Sequence, residues 1–146
     1  MEVKVARLIA KLAHRDQVDK AGKDYFEGHL TRVATSLWQR GKSDNIIVLA
    51  YLHDILEDTD VGPKALFTLG CSSSQVGDVL ELTRTEADPY QDYIAKIAKS
   101  SSPGVLIVKV ADLEDHLQDM SCISAGLIQR YRLAYKTLTG IEYSEC

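Results

Sequence analysis

A helix that is apolar on every side has to be surrounded by other structure. Residues 45–59 read as such a helix: Asn45-Ile46-Ile47-Val48-Leu49-Ala50-Tyr51-Leu52-His53-Asp54-Ile55-Leu56-Glu57-Asp58-Thr59. Almost nothing in its first two turns is polar, so it predicts a central helix with the rest of the chain wrapped around it. Stripes at steps of three and four supply the cover. They comprise Val5, Leu8, Ile9 and Leu12; Leu30, Val33, Ala34, Leu37 and Trp38; and Val76, Val79, Leu80 and Thr83. Two more comprise Tyr90, Tyr93, Ile94 and Ile97, and Leu127, Ile128, Tyr131, Ala134, Tyr135 and Leu138.

The punctuation agrees with helices. Gly41 closes the second, and Ser43 or Asp44 can cap the next. Gly62-Pro63, Ser72 to Ser74, Asp88-Pro89 and Ser102-Pro103 mark further starts. The run Val105-Leu106-Ile107-Val108-Lys109-Val110 is β-branched enough for a strand. No partner strand is evident, and a lone strand leaves its backbone unpaired, so it is read as a buried helix from about Pro103 to Leu117. The expected architecture is all-α, a single bundle of about eight helices over residues 1–146.

Composition limits the function. The chain has 146 residues, 45% of them apolar, which suits one globular domain. Its 17 basic and 21 acidic side chains give a net charge of −4, which argues against general nucleic-acid binding but not against one small anionic substrate. No stretch approaches the roughly 18 apolar residues of a membrane span, and the N-terminus lacks a secretory signal. Cys71, Cys122 and Cys146 are odd in number and far apart, as expected of reduced thiols in the cytoplasm. Apolar positions late in the chain are available for contact between copies, so a homo-oligomer stays open.

The chemistry concentrates where polar residues interrupt apolar helix. His53 and Asp54 are adjacent, about 100° apart around a helix axis, and can flank one ion. Glu57 lies on the same face one turn on, and Asp58 is four residues after Asp54. A buried cluster of carboxylates and an imidazole is costly unless paired, and a divalent cation neutralises it. His29 and Asp112, each beside an apolar run, complete a set of two imidazoles and two carboxylates. Mixed nitrogen and oxygen ligation suits Mn, Fe or Zn, or Mg with waters. Taken singly, each residue has a second reading. His53-Asp54 could be an exposed helix end, His29 a helix-start histidine, and Asp112 a surface partner of Lys109. Glu57 and Asp58 could be an acidic terminal turn, although the helix dipole disfavours that. His14 reads as a packing or hydrogen-bonded histidine.

An isolated His, then His-Asp, then a distant Asp resembles the pattern of the HD superfamily of metal-dependent phosphohydrolases. Three segments resemble one branch, the guanosine tetraphosphate (ppGpp) hydrolase domains: Gln17 to His29, Ala50 to Thr59 with its His-Asp and Glu-Asp-Thr, and Val108-Lys109-Val110-Ala111-Asp112. The resemblance implies an all-α HD fold holding one metal on His29, His53, Asp54 and Asp112. It implies Mn as the ion, with Fe, Zn, Mg, Co or Ni as alternatives. It gives Glu57 and Asp58 the task of positioning or activating the attacking water. It turns Lys20 and Lys23 toward the nucleotide, although a solvated basic loop explains them as well. It places Thr83, Arg84 and His116 near the substrate. Asp24 and Leu30 stand where the family has proline, and His116 where it has asparagine. The implied activity is a stand-alone ppGpp 3′-pyrophosphohydrolase, with no room for a nucleotide-synthesising domain. The alternatives are an HD phosphohydrolase of another nucleotide or phosphoester, and a non-catalytic module, which would have lost a ligand or the Glu-Asp pair.

Overall fold

Alanine, not leucine, faces the core from the first helix. In the computed structural model, which describes residues 1–144, α1 (Val3–Ala13) buries Ala6 and Ala10 and leaves Val5, Leu8 and Leu12 exposed. The stripe expected at Val5, Leu8 and Leu12 is therefore turned outward. Small side chains let α1 approach the central helix closely, and only Ile9 of the expected set is partly buried. On the exposed side the three apolar residues run beside Lys4, Arg7, Lys11 and Arg15.

A π-helical turn (Phe26–Leu30) leads into α2 (Thr31–Gln39). Then come α3 (Asp44–Leu52), the single turn α4 (Ile55–Asp58), α5 (Pro63–Thr68), α6 (Ser73–Glu81) and α7 (Tyr90–Ala98). The last two are α8 (Pro103–Gln118) and α9 (Ala125–Thr139). Apart from the one-turn segment α4 and the π-helical turn, the described residues form eight helices and no β-ladder, as the all-α reading expects. The β-branched run 105–110 lies inside α8, with Val105 and Val108 fully buried.

The central position of α3 follows from its residues. Ile47 to Leu52 are all buried, and α1, α2, α6 and α8 pack around the helix. One expectation needs correction. Residues 45–59 are not one helix; the ladder stops at Leu52 and resumes at Ile55, with His53 and Asp54 in the break. Asp54 has φ −102° and ψ 0°, outside helical geometry. Two outer members of the other stripes, Trp38 and Leu80, are also exposed, because their helices sit at the edge of the bundle.

Caps fall where turn chemistry places them. Ser72 and Gln75 form a reciprocal capping box at α6. Asp24, standing in place of a family proline, accepts from the Glu27 N–H at 2.8 Å and so starts the π-helical turn. Leu30, the other departure, is a buried core residue. Cys71 and Cys122 are free thiols, and Cys146 lies outside the described residues. Among the described residues no helix is long and apolar enough to cross a membrane.

Candidate metal centre

Three separate elements bring His29, His53, Asp54 and Asp112 together. The π-helical turn carries His29, the break after α3 carries His53 and Asp54, and the middle of α8 carries Asp112. One ligand atom from each lies within 4.8 Å of the others. Both histidines are 2% exposed and Asp112 is 3% exposed, so these charges are withdrawn from water.

Hydrogen bonds behind the two imidazoles decide which nitrogen faces inward. His53 Nδ1 donates to the Ala50 carbonyl at 2.6 Å, and His29 Nδ1 meets Asp115 Oδ2 at 2.8 Å. Both Nε2 atoms are left for the centre. His29 Nε2 lies 2.9 Å from Asp112 Oδ1 and 3.7 Å from Asp54 Oδ2, yet it is buried without an aligned hydrogen bond. His53 Nε2 lies 3.1 Å from Asp54 Oδ2 and 3.4 Å from Asp112 Oδ1. Donor atoms that crowd together without pairing well are arranged for a common cation. Two nitrogens and two oxygens fit a borderline or hard divalent ion, so this cluster could bind one.

The carboxylates are divided between the centre and its surroundings. Asp112 Oδ2 takes the Lys109 ammonium at 2.8 Å, which leaves Oδ1 to the histidines. Asp54 Oδ2 accepts the Tyr25 hydroxyl at 2.5 Å. Burial works against charge on Asp112, but Lys109 and the histidines hold it well below the usual carboxylate range. For Asp54 the same contest is won by His53. Burial and the Asp54 charge raise Tyr25 above the ordinary phenol range, so it stays a donor.

Glu57 and Asp58 line the same cavity, of about 610 Å³. Burial and then the Asp54 charge push the pKa of each above the ordinary value, with Arg84 and Gln17 opposing. Both are held from outside their own helix. The Arg84 backbone N–H donates to Glu57, and Gln17 Nε2 donates to Asp58 Oδ2 at 3.1 Å. His14 is buried and hydrogen-bonded to Gln17 Oε1 at 2.7 Å.

Lys20, Lys23, Arg84 and His116 also line the cavity. The lysines sit on a loop closed by the Val18–Asp24 bridge and by Asp19 Oδ1, which accepts from the Ala21 and Lys23 N–H groups. Gly22, at φ +79°, supplies the left-handed residue that this loop requires. His116 stacks between His29 and Tyr131, at ring separations of 4.5 and 5.0 Å. Thr83 is not brought to the cavity; its hydroxyl donates to the Val79 carbonyl at 2.7 Å.

Sequence reasoning missed Asp115, Tyr25 and Arg130. Asp115 orients His29 and is itself held by Arg32 Nε and Nη2 at 2.7 and 3.1 Å. One signal could have found it: it lies three residues after Asp112 on the same helical face, and a ligating histidine usually has a carboxylate behind it.

The fold and the His/Asp cluster define an all-α helical domain with a candidate divalent-metal centre. No family model matches the chain. The guanosine-3′,5′-bis(diphosphate) 3′-pyrophosphohydrolase of Aquifex aeolicus (strain VF5) is 28% identical over 127 residues, covering 82% of this chain. The chain spans only 18% of that relative's length. A solved structure of a metazoan ortholog of SpoT, described as hydrolysing ppGpp and playing a role in starvation responses, superposes with a TM-score of 0.79 at 25% identity. The match covers 96% of this chain and 86% of the other. The similarity to ppGpp hydrolases seen in the motifs is thus present in overall sequence and in fold.

Proposed function

We propose that the chain is a metal-dependent hydrolase of guanosine 3′,5′-bis(diphosphate) that releases pyrophosphate from the 3′ side, with residues 1–146 as the hydrolase domain. The observation that carries this reading is the convergence of His29, His53, Asp54 and Asp112 beside Glu57 and Asp58 in one cavity. The similarity to relatives named for this activity supports it. We assign Mn as the ion and the cytoplasm as the compartment.

His29, His53, Asp54 and Asp112 would hold the ion. When bound, it supplies Lewis-acid polarisation of the phosphoryl group and a lowered pKa for water. Asp58, with Glu57, accepts the proton of the attacking water. Their raised pKa values bring them closer to neutrality, where a general base works best. Gln17 and the Arg84 N–H keep the two carboxylates in place. Water attacks the phosphorus attached to the ribose 3′ oxygen, the P–O3′ bond breaks, and that oxygen takes a proton as pyrophosphate leaves. Lys20 and Lys23 offset phosphate charge from the loop side.

One observation favours a second reading, hydrolysis of another nucleotide or phosphoester. His116, at the family's asparagine position, is stacked on both faces and lies 3.3 Å from Asp112 Oδ1. It therefore meets a substrate with different chemistry from an amide. A screen of Mn-loaded protein against nucleotides with 3′ and 5′ phosphates separates the two. Pyrophosphate release from ppGpp is expected; turnover of other nucleotides without it would favour the second reading. Protein that binds no metal and stays inactive with added Mn would mark a non-catalytic module.

A further inference from the structure

Tyr90, the first residue of α7, has two arginines against its ring. The Arg84 guanidinium carbon lies 5.5 Å from the ring centroid and that of Arg130, from α9, lies 4.8 Å away. All three residues line the cavity that holds the metal centre. Among the described residues neither guanidinium forms an ion pair; Arg84 Nε donates to the Asp88 carbonyl, and Arg130 meets only the ring. The Tyr90 hydroxyl is buried with no hydrogen-bond partner. Lys109, a neighbouring cation from α8, is committed to Asp112.

Two forked guanidiniums and an unanswered hydroxyl in one wall form a donor set without an acceptor. A buried hydroxyl left unpaired is costly, and guanidinium forks match phosphate oxygens in pairs. An oxyanion is the kind of acceptor such donors lack. The wall belongs to the 82–89 loop, α7 and α9, whereas the cation cluster belongs to the π-helical turn, the break after α3 and α8. Arg84 joins the two regions, because its backbone N–H holds Glu57 while its side chain reaches Tyr90.

We propose that Arg84, Arg130 and the Tyr90 hydroxyl form an anion subsite for a phosphate group of the substrate other than the one under attack. This rests on the reading of the cavity as a phosphohydrolase site, and it assigns side chains of this chain to the phosphate that is not attacked. Arg84 then sets the spacing between the two phosphates.

GDP, which carries only the 5′-diphosphate, tests the subsite without turnover. Calorimetry on metal-free protein should show GDP binding at least tenfold tighter than guanosine. Arg84→Ala with Arg130→Ala should remove most of that difference, and Arg130→Lys, which keeps the charge but loses the fork, should remove part of it. Tyr90→Phe should weaken GDP severalfold with a melting temperature equal to or above that of the wild type. GDP affinity unchanged within twofold in the double variant would overturn the proposal, as would wild-type protein that does not prefer GDP to guanosine. Arginine-dependent GDP binding in a protein that leaves ppGpp intact would support the subsite while removing the proposed reaction.

Discussion

Asp115 Oδ2 lies 2.8 Å from His29 Nδ1, and the same carboxylate is gripped by Arg32 at 2.7 and 3.1 Å. The ring is therefore oriented by a group that never reaches the centre. Such outer partners usually set metal affinity by about 10–100-fold. Asp115→Ala should weaken Mn binding by that amount in a folded protein, measured by competition with a chelator. Wild-type affinity in this variant would mean that packing alone orients His29.

Asp58 and Gln17 make a graded pair. Asp58→Asn should keep stoichiometric metal and lose about 100-fold or more in kcat, the usual range for a general base. Gln17→Leu removes the 3.1 Å hydrogen bond that holds Asp58 and should cost about tenfold, again with metal retained. A fully active Asp58→Asn would remove Asp58 from the water-activating pair.

Metal loading should release protons. In metal-free protein burial pushes the His29 imidazolium down, but the adjacent Asp112 and Asp115 carboxylates outweigh it and raise the pKa to about 9. The ordinary value is about 6.5. A raised folded-state pKa gives stability that is complete below about 6.5 and lost as pH rises through about 9. Metal-free protein should therefore lose melting temperature across that window from this group. Metal affinity should rise across it, because a ligating imidazole must be neutral. Calorimetry in two buffers of different ionisation heat counts the protons; zero release at pH 7 would contradict a protonated His29.

Lys109 pairs with Asp112 through Oδ2, the oxygen not used by the histidines. Lys109→Met leaves a buried carboxylate short of its cation, a loss of about 3–5 kcal/mol for such pairs. Urea titration should show that loss in metal-free protein and a smaller one with Mn. Equal stability of the two metal-free proteins would show that the ion pair contributes nothing net.

The cluster of His29, His53, Asp54 and Asp112 was legible because imidazole and carboxylate in apolar helical context have few inexpensive explanations. The run from Asn45 to Leu52 likewise fixed the centre of the bundle. The break at His53 and Asp54 was not legible, since neither Gly nor Pro marks it and the apolar pattern continues through Ile55 and Leu56. The face of α1 was misread because periodicity finds two stripes there, and side-chain size favours Leu8 and Leu12. Close approach to α3 selects Ala6 and Ala10 instead. Thr83 follows an apolar stripe, but a helix-terminal threonine can return its hydroxyl to a carbonyl one turn back. Arg130 carried no local signal, because only the fold places α9 against Tyr90.

The internal counter-ion on Asp112 has a consequence beyond the reaction. Because Lys109 already offsets this carboxylate, an ion is not the only group that can keep its charge buried. If turnover depends on a divalent ion as proposed, a shortage of that ion would leave folded, idle protein that escapes proteolysis. Resupply would then restore turnover without new synthesis, so that ion availability governs activity while abundance stays constant.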